Sequence, residues 1–191
     1  MTPGRRFRLE VAGALASLLA LGLLACGSEE ETKAIDGEEA PVVVEGEPLE
    51  LGDLHFNVAI TRFLNPDDVE DSEYLQDLPE PPPDEDYLAV FMSVENEGDE
   101  DLELPAAEDM KIIDITGEEY EPVETDSIFA LDLGAPFEAG GEAPAEDTAA
   151  ASGPVQGSFV LFRIPKDAQE NRPLELEMEA DGEIGAIELD L

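Results

Sequence analysis

From Leu54 to Leu191 the chain repeatedly alternates apolar and polar side chains. A period of two with one apolar face predicts half-buried strands. Leu54, Phe56, Val58 and Ile60 alternate with His55, Asn57, Ala59 and Thr61, so the first strand is expected to turn Ile60 inward with the other three. Tyr87 to Glu95 is apolar on both faces, with Leu88, Val90, Met92 and Val94 on one and Tyr87, Ala89 and Phe91 on the other. Such a strand belongs in the middle of a sandwich. Short strands are expected at Leu102–Leu104, Met110–Ile115 and Glu119–Val123, and a buried one at Val155–Ile164. Ser127–Leu133 fits a strand or a single helical turn equally well. Leu174, Leu176, Met178 and Ala180 alternate with Glu175, Glu177 and Glu179, and Asp181-Gly182 provides a tight hairpin turn. Ile187, Leu189 and Leu191 face inward on the return strand; Ile184 is out of phase with them, which predicts a bulge near Gly185.

Three stretches break this pattern. Residues 26–52 are acidic and rich in Gly and Pro and read as a flexible tether; Val42-Val43-Val44 is their one apolar patch, enough for a short edge strand. Residues 65–85 contain Pro79-Glu80-Pro81-Pro82-Pro83, and residues 138–154 are mostly Ala, Gly, Glu and Pro. Both read as disordered acidic insertions. Without them the body, 53–191, has seven or so strands in about 100 residues, the size of an immunoglobulin-like sandwich. The expected fold is therefore all-β: an immunoglobulin-like two-sheet β-sandwich behind a signal peptide and a tether. The Cys–Trp–Cys pin of antibody domains is absent, because there is no Trp and the single Cys lies near the N-terminus.

The segment Asp86–Gly98, the turn Ile113-Asp114-Ile115-Thr116-Gly117 followed by Tyr120, and Gly157–Pro165 together resemble a telokin-like, immunoglobulin-like domain found in bacterial lipoproteins. It is similar in fold to a small secreted immunoprotective antigen of mycobacteria. The resemblance implies a sandwich of mostly unassigned function. It offers no catalytic residues to carry over.

The N-terminus bears on location. Arg5, Arg6 and Arg8 precede an uncharged run from Val11 to Ala25, the layout of a secretory signal peptide over residues 1–25. That run is shorter than the roughly 20 residues a spanning helix needs. Leu23-Leu24-Ala25-Cys26 resembles a bacterial lipobox. The resemblance implies a thioether-linked lipid on Cys26, cleavage before it, and a second acyl chain, such as palmitate, on the new N-terminus. Two or more lipid signals make anchoring stable. The protein is thus expected outside the cytoplasm, on a cell membrane.

The chain carries 9 Lys+Arg against 49 Asp+Glu, a net charge of −40; residues 26–191 hold 6 basic and 48 acidic side chains. Nucleic acid is excluded as a partner, since phosphate binding needs a basic footprint. Like charge favours a soluble monomer and works against compactness.

Candidate chemistry is sparse. His55 is the only histidine and falls on the polar face of its strand, so a nucleophilic triad lacks its parts. Clustered carboxylates suit calcium: Asp67, Asp68 and Asp71 form one candidate set with Asn65 and Glu70, and Asp99 and Asp101 another with Asn96 and Glu100. Neither has EF-hand spacing, and solvated acidic turns account for such runs in most proteins. No other cofactor is implied. The sequence therefore points to a non-enzymatic binding or interaction module at the cell envelope, its partner an envelope protein or small ligand. The alternatives are an acidic calcium-binding or structural envelope protein and, more remotely, a hydrolase using two carboxylates.

Overall fold

The computed structural model describes residues 31–76 and 78–191. The expected signal peptide, Cys26 and the start of the expected tether lie outside the described residues. In chain order the strands are β1 (Glu31–Ile35), β2 (Glu38–Val44), β3 (Pro48–Leu51), β4 (Leu54–Phe63), β5 (Glu85–Asn96), β6 (Leu102–Glu103), β7 (Met110–Ile113), β8 (Glu119–Tyr120), β9 (Pro136–Phe137), β10 (Glu142–Ala143), β11 (Ser158–Pro165), β12 (Leu174–Ala180) and β13 (Glu183–Leu189). Two short helices interrupt them, α1 (Val69–Tyr74) and α2 (Ala149–Ser152).

Two sheets face each other, as the alternation predicts. One runs β1-β2-β13-β12-β7-β8, antiparallel except for the β2–β13 pair. The other runs β3-β4-β5, with β11 and β10 sharing the far edge of β5. Between them Leu49, Leu54, Phe56, Val58, Leu88, Val90, Met92, Ile112, Phe162, Leu176, Met178 and Ile187 form one buried core. Each such side chain contributes about 1.5–3 kcal/mol on leaving water. A small ladder, β6 with β9, closes one end.

The pattern fails at informative places. In β4 the register shifts between Val58 and Ile60. This bulge at Ala59 reverses the phase, so Thr61 is buried and Ile60 is exposed, against expectation. No bulge occurs near Gly185: β12 and β13 pair without interruption from Leu174↔Leu189 to Ala180↔Glu183. Their turn has positive φ at Asp181 and Gly182, the primed hairpin the sequence predicts. Ile184 instead faces the outer side with Ala186, where Ile35, Ala40 and Val42 pack on it. Gly185 points inward, and a Cβ there would lie 2.9 Å from the methyls of Leu49 and Leu51.

Residues 31–51, expected as tether, are three strands. Val42, Val43 and Val44 pair in parallel with Ala186, Ile187 and Glu188, and β1 lies beyond β2 as the sheet edge. The reason is the second apolar face of β13, which needs a cover. Lys33 of β1 reaches the carboxylates of Glu175 and Glu177, and Lys111 stands 3.7 Å from Glu177. Glu177 is consequently buried, although the alternation places it in a solvated glutamate row.

The two expected insertions are also ordered. Phe91, Ala89 and Tyr87 of β5 and Phe159 and Leu161 of β11 form a second apolar surface, behind the sandwich, and Tyr74 from the first insertion, with Leu64 just before it, covers it. Tyr74 is fully buried, with ring centroids 5.0 Å from Phe91 and from Phe129 and 5.8 Å from Phe159, all edge-on as aromatic pairs prefer. The second insertion forms β10 and α2, with Ala150 buried, and Val155 just beyond it donates its N–H to the Tyr74 hydroxyl at 3.0 Å.

Replacing Tyr74 with Ala is therefore expected to cost about 3 kcal/mol or more, as large-to-small changes in a core do. Urea unfolding followed by circular dichroism measures it. An unchanged midpoint would mean that this region contributes nothing to the folded body.

Candidate functional site

The segments covering β5 and β11 also build a large concavity. Helix α1 is fixed from below. Asp68 caps it by accepting the Glu70 N–H at 2.9 Å. Buried Asp71 ion-pairs with Arg62 of β4 and accepts the Asn65 N–H at 2.9 Å, and the Arg62 guanidinium lies 5.8 Å from the Phe91 ring centre. After α1 the chain is held by Tyr87, whose hydroxyl donates to the Pro79 carbonyl at 3.0 Å. Opposite, Phe129 exchanges backbone hydrogen bonds with β11: Phe159 N–H donates to Phe129 C=O, and Leu131 N–H to Phe159 C=O, both at 2.9 Å.

Between these walls lies an open groove of ≈ 800 Å³. Leu78, Pro79 and Phe129 supply its apolar lining, and Glu73, Glu124 and Asp126 its acidic rim. Ile128 stands on the rim with 74% of its surface exposed. It also borders a smaller recess of ≈ 230 Å³ over Leu131 and Ala150.

The rim charge is uncompensated. Of the six basic residues after Cys26, Lys33, Arg62, Lys111, Arg163 and Lys166 pair with carboxylates on the body, and Arg172 donates to the Gln169 carbonyl. None is among the residues lining the groove.

The candidate calcium ligands are placed differently. Asp68 and Asp71 serve α1 as caps and anchors, while Asp67 is exposed in the preceding turn. Asp99 is exposed after β5, and Asp101 accepts the Ala139 N–H at 3.0 Å. Asn96 is buried, its amide donating to the carbonyls of Glu100, Phe137 and Glu138. Among the described residues no three acidic or histidine side chains converge in a metal-holding group. Asp101 does border a second recess of ≈ 730 Å³ with Glu103, Asp109, Glu179 and Asp181; Asp109 is engaged there with the Ala106 N–H at 3.1 Å. His55 sits half-buried, 3.6 Å from the Glu97 carboxylate.

One buried carboxylate has a strongly shifted pKa. Burial pushes Asp114 up, but hydrogen bonds outweigh it: Thr116 donates through its hydroxyl (2.6 Å) and N–H (2.8 Å), Glu118 through its N–H, and Asn171 through its amide. The pKa falls to about 2. Tyr120, burdened by burial and by donating to Asp114 at 3.1 Å, is pushed up to about 12. With every lone pair occupied, Asp114 fastens the β7–β8 turn to the segment before β12.

Sequence reasoning missed Glu73, Glu124, Asp126, Ile128 and Phe129 as site residues. The signal present was a bulky aliphatic side chain, Ile128, just after an acidic run with no periodicity to bury it.

A model of a family described as a domain of unknown function (DUF4352) matches residues 45–186. No curated protein matches the chain. Among solved structures, an uncharacterised β-sandwich protein from Clostridium difficile shares 13% identity, covering 86% of this chain and 99% of its own, with a TM-score of 0.48. The secreted protein MPT63 of Mycobacterium tuberculosis shares 12% over 78% of this chain and 97% of its own, with a TM-score of 0.48. A candidate lipoprotein of Bacillus subtilis, ycdA, shares 13% over 76% of this chain and 38% of its own, with a TM-score of 0.47.

Asp114→Ala is expected to destabilise the body by about 3 kcal/mol, since it strands buried N–H donors. The native carboxyl titrates below its unfolded value of about 3.9. Its contribution is therefore complete above about pH 4 and is lost as pH falls through about 2. The gap in urea midpoint between the parent and Asp114→Ala should thus narrow from about pH 6 to about pH 2; a gap independent of pH would contradict the assignment.

Proposed function

The chain belongs to the family of domains of unknown function DUF4352, and we propose that it works as a non-enzymatic binding module held outside the cytoplasm by a lipid on Cys26. The groove beside α1 carries the binding reading. It is open, part apolar and walled on one side by α1 and the chain after it and on the other by the segment that pairs with β11, and Ile128 is exposed on its rim. An exposed apolar patch rimmed by polar residues is the kind of feature that marks interaction sites.

The anchor reading rests on the basic start, the apolar run and the single cysteine. The ordered hairpin of β1 and β2 sharpens it. Only five peptide steps separate Cys26 from Glu31, a reach of at most about 18 Å when extended. The body is thus moored close to the bilayer by its β1 edge, not carried on a long tether. Its net negative charge turns it away from anionic head groups. No helix among the described residues is long and apolar enough to cross a membrane.

Two experiments test the two halves. Cys26→Ser should move the protein from the membrane fraction to the soluble one; unaltered fractionation overturns the anchor. A photo-crosslinking amino acid placed in cells at position 128 should give a discrete adduct, whereas one at position 190 should not. No adduct at 128, or the same adduct from both, overturns the binding site.

A further inference from the structure

The groove's charge narrows what it can hold, granted the binding-module reading above. Glu73, Glu124 and Asp126 have no ion-pair or hydrogen-bond partner among the described residues. Five of the six cations after Cys26 pair with carboxylates elsewhere and Arg172 donates to the Gln169 carbonyl, so none of the six serves the rim. An anionic ligand entering here meets repulsion from the rim and from the whole body. A neutral ligand covering the rim would desolvate carboxylates and leave them unpaired, which is costly. A cationic occupant meets attraction in place of repulsion and pairs the carboxylates it covers, which offsets their desolvation. The apolar lining and Ile128 add a second requirement. Burying exposed Ile128 against an apolar partner is favourable, so the occupant needs an apolar side chain between its charges.

We infer that the groove docks an exposed peptide segment of another protein in which Lys or Arg residues flank an aliphatic or aromatic anchor. The anchor packs on Ile128, Leu78 and Phe129, and the basic side chains meet Glu73, Glu124 and Asp126. Long-range attraction by the acidic body accelerates encounter, and the groove selects by its apolar contact.

A body this acidic attracts any polycation, so the test must separate the groove from the bulk field. A fluorescein-labelled peptide alternating Lys and Leu is titrated with the full-length chain in detergent and followed by anisotropy. Glu124→Gln with Asp126→Asn should weaken binding about fivefold, the scale of two exposed ion pairs. Glu188→Gln with Asp190→Asn removes the same charge from the other sheet and should change it less than twofold. Ile128→Asp decides most sharply, because it adds a negative charge while removing the apolar contact. Bulk attraction would tighten binding, whereas the docked anchor predicts about tenfold loss. The inference is overturned if the peptide does not bind, if both double variants weaken binding equally, or if Ile128→Asp binds as tightly as the parent. Should position 128 still crosslink a partner in cells in that event, the module stands and only its cationic specificity falls.

Discussion

Strand β5 has two faces to bury, and the rest of the molecule is arranged around that. One face, Leu88, Val90, Met92 and Val94, looks into the sandwich; the other, Tyr87, Ala89 and Phe91, looks away from it. A second apolar face in water would be an aggregation surface. The chain covers it with its least strand-like segments: α1, the turn at Phe129, and the stretch through α2 to Val155. Locally the protein has three layers, and the groove is the seam where two covering segments fail to meet. The same logic acts on the opposite sheet, where β1 and β2 cover Ala186 and Ile184.

Scarcity of positive charge is the second constraint. Six cations must serve 48 carboxylates in residues 26–191. Three of the six sit where folding forces an acid out of water. Lys33 and Lys111 hold buried Glu177, and Arg62 holds buried Asp71. Asp114, also buried, is satisfied by neutral donors and needs no cation. Removing a partner from such a buried acid is far costlier than losing a surface pair. The acids on the groove rim, Glu73, Glu124 and Asp126, have no such partner among the described residues and face solvent.

Function in such a domain lies in what is added to the sheets. The sandwich core explains why the chain folds but offers no chemistry. The groove, by contrast, is made from Glu73, Gln76, Leu78, Pro79 and residues 124–129, which lie in connections between strands. The β1–β2 hairpin lies before the family match, which begins at residue 45. Its residues 31–44, anticipated as part of a flexible leash, are strands of the sheet.

The alternation of side chains by itself determined the all-β class, the strands around Phe56, Val90, Phe162 and Met178, and the Asp181-Gly182 hairpin. These are local properties: a period of two and a two-residue turn are written in neighbouring residues. The acidity, likewise additive over the chain, carries only the expectation that nucleic acid is not a partner. Contacts across long separations were decided only by the tertiary structure. Residues 31–51 and the two insertions carry few apolar groups and look unable to fold, yet single side chains such as Ile35, Tyr74 and Ala150 are buried by distant partners. Tyr74 meets Phe129 and Phe159 far along the chain, and Lys33 meets Glu177 across the sheet. The phase of β4 turned on one bulge that composition does not mark, and the groove on where two covering loops stop short of each other. Such pairings depend on which faces remain unfilled once the sheets have formed, and no window of consecutive residues contains that information.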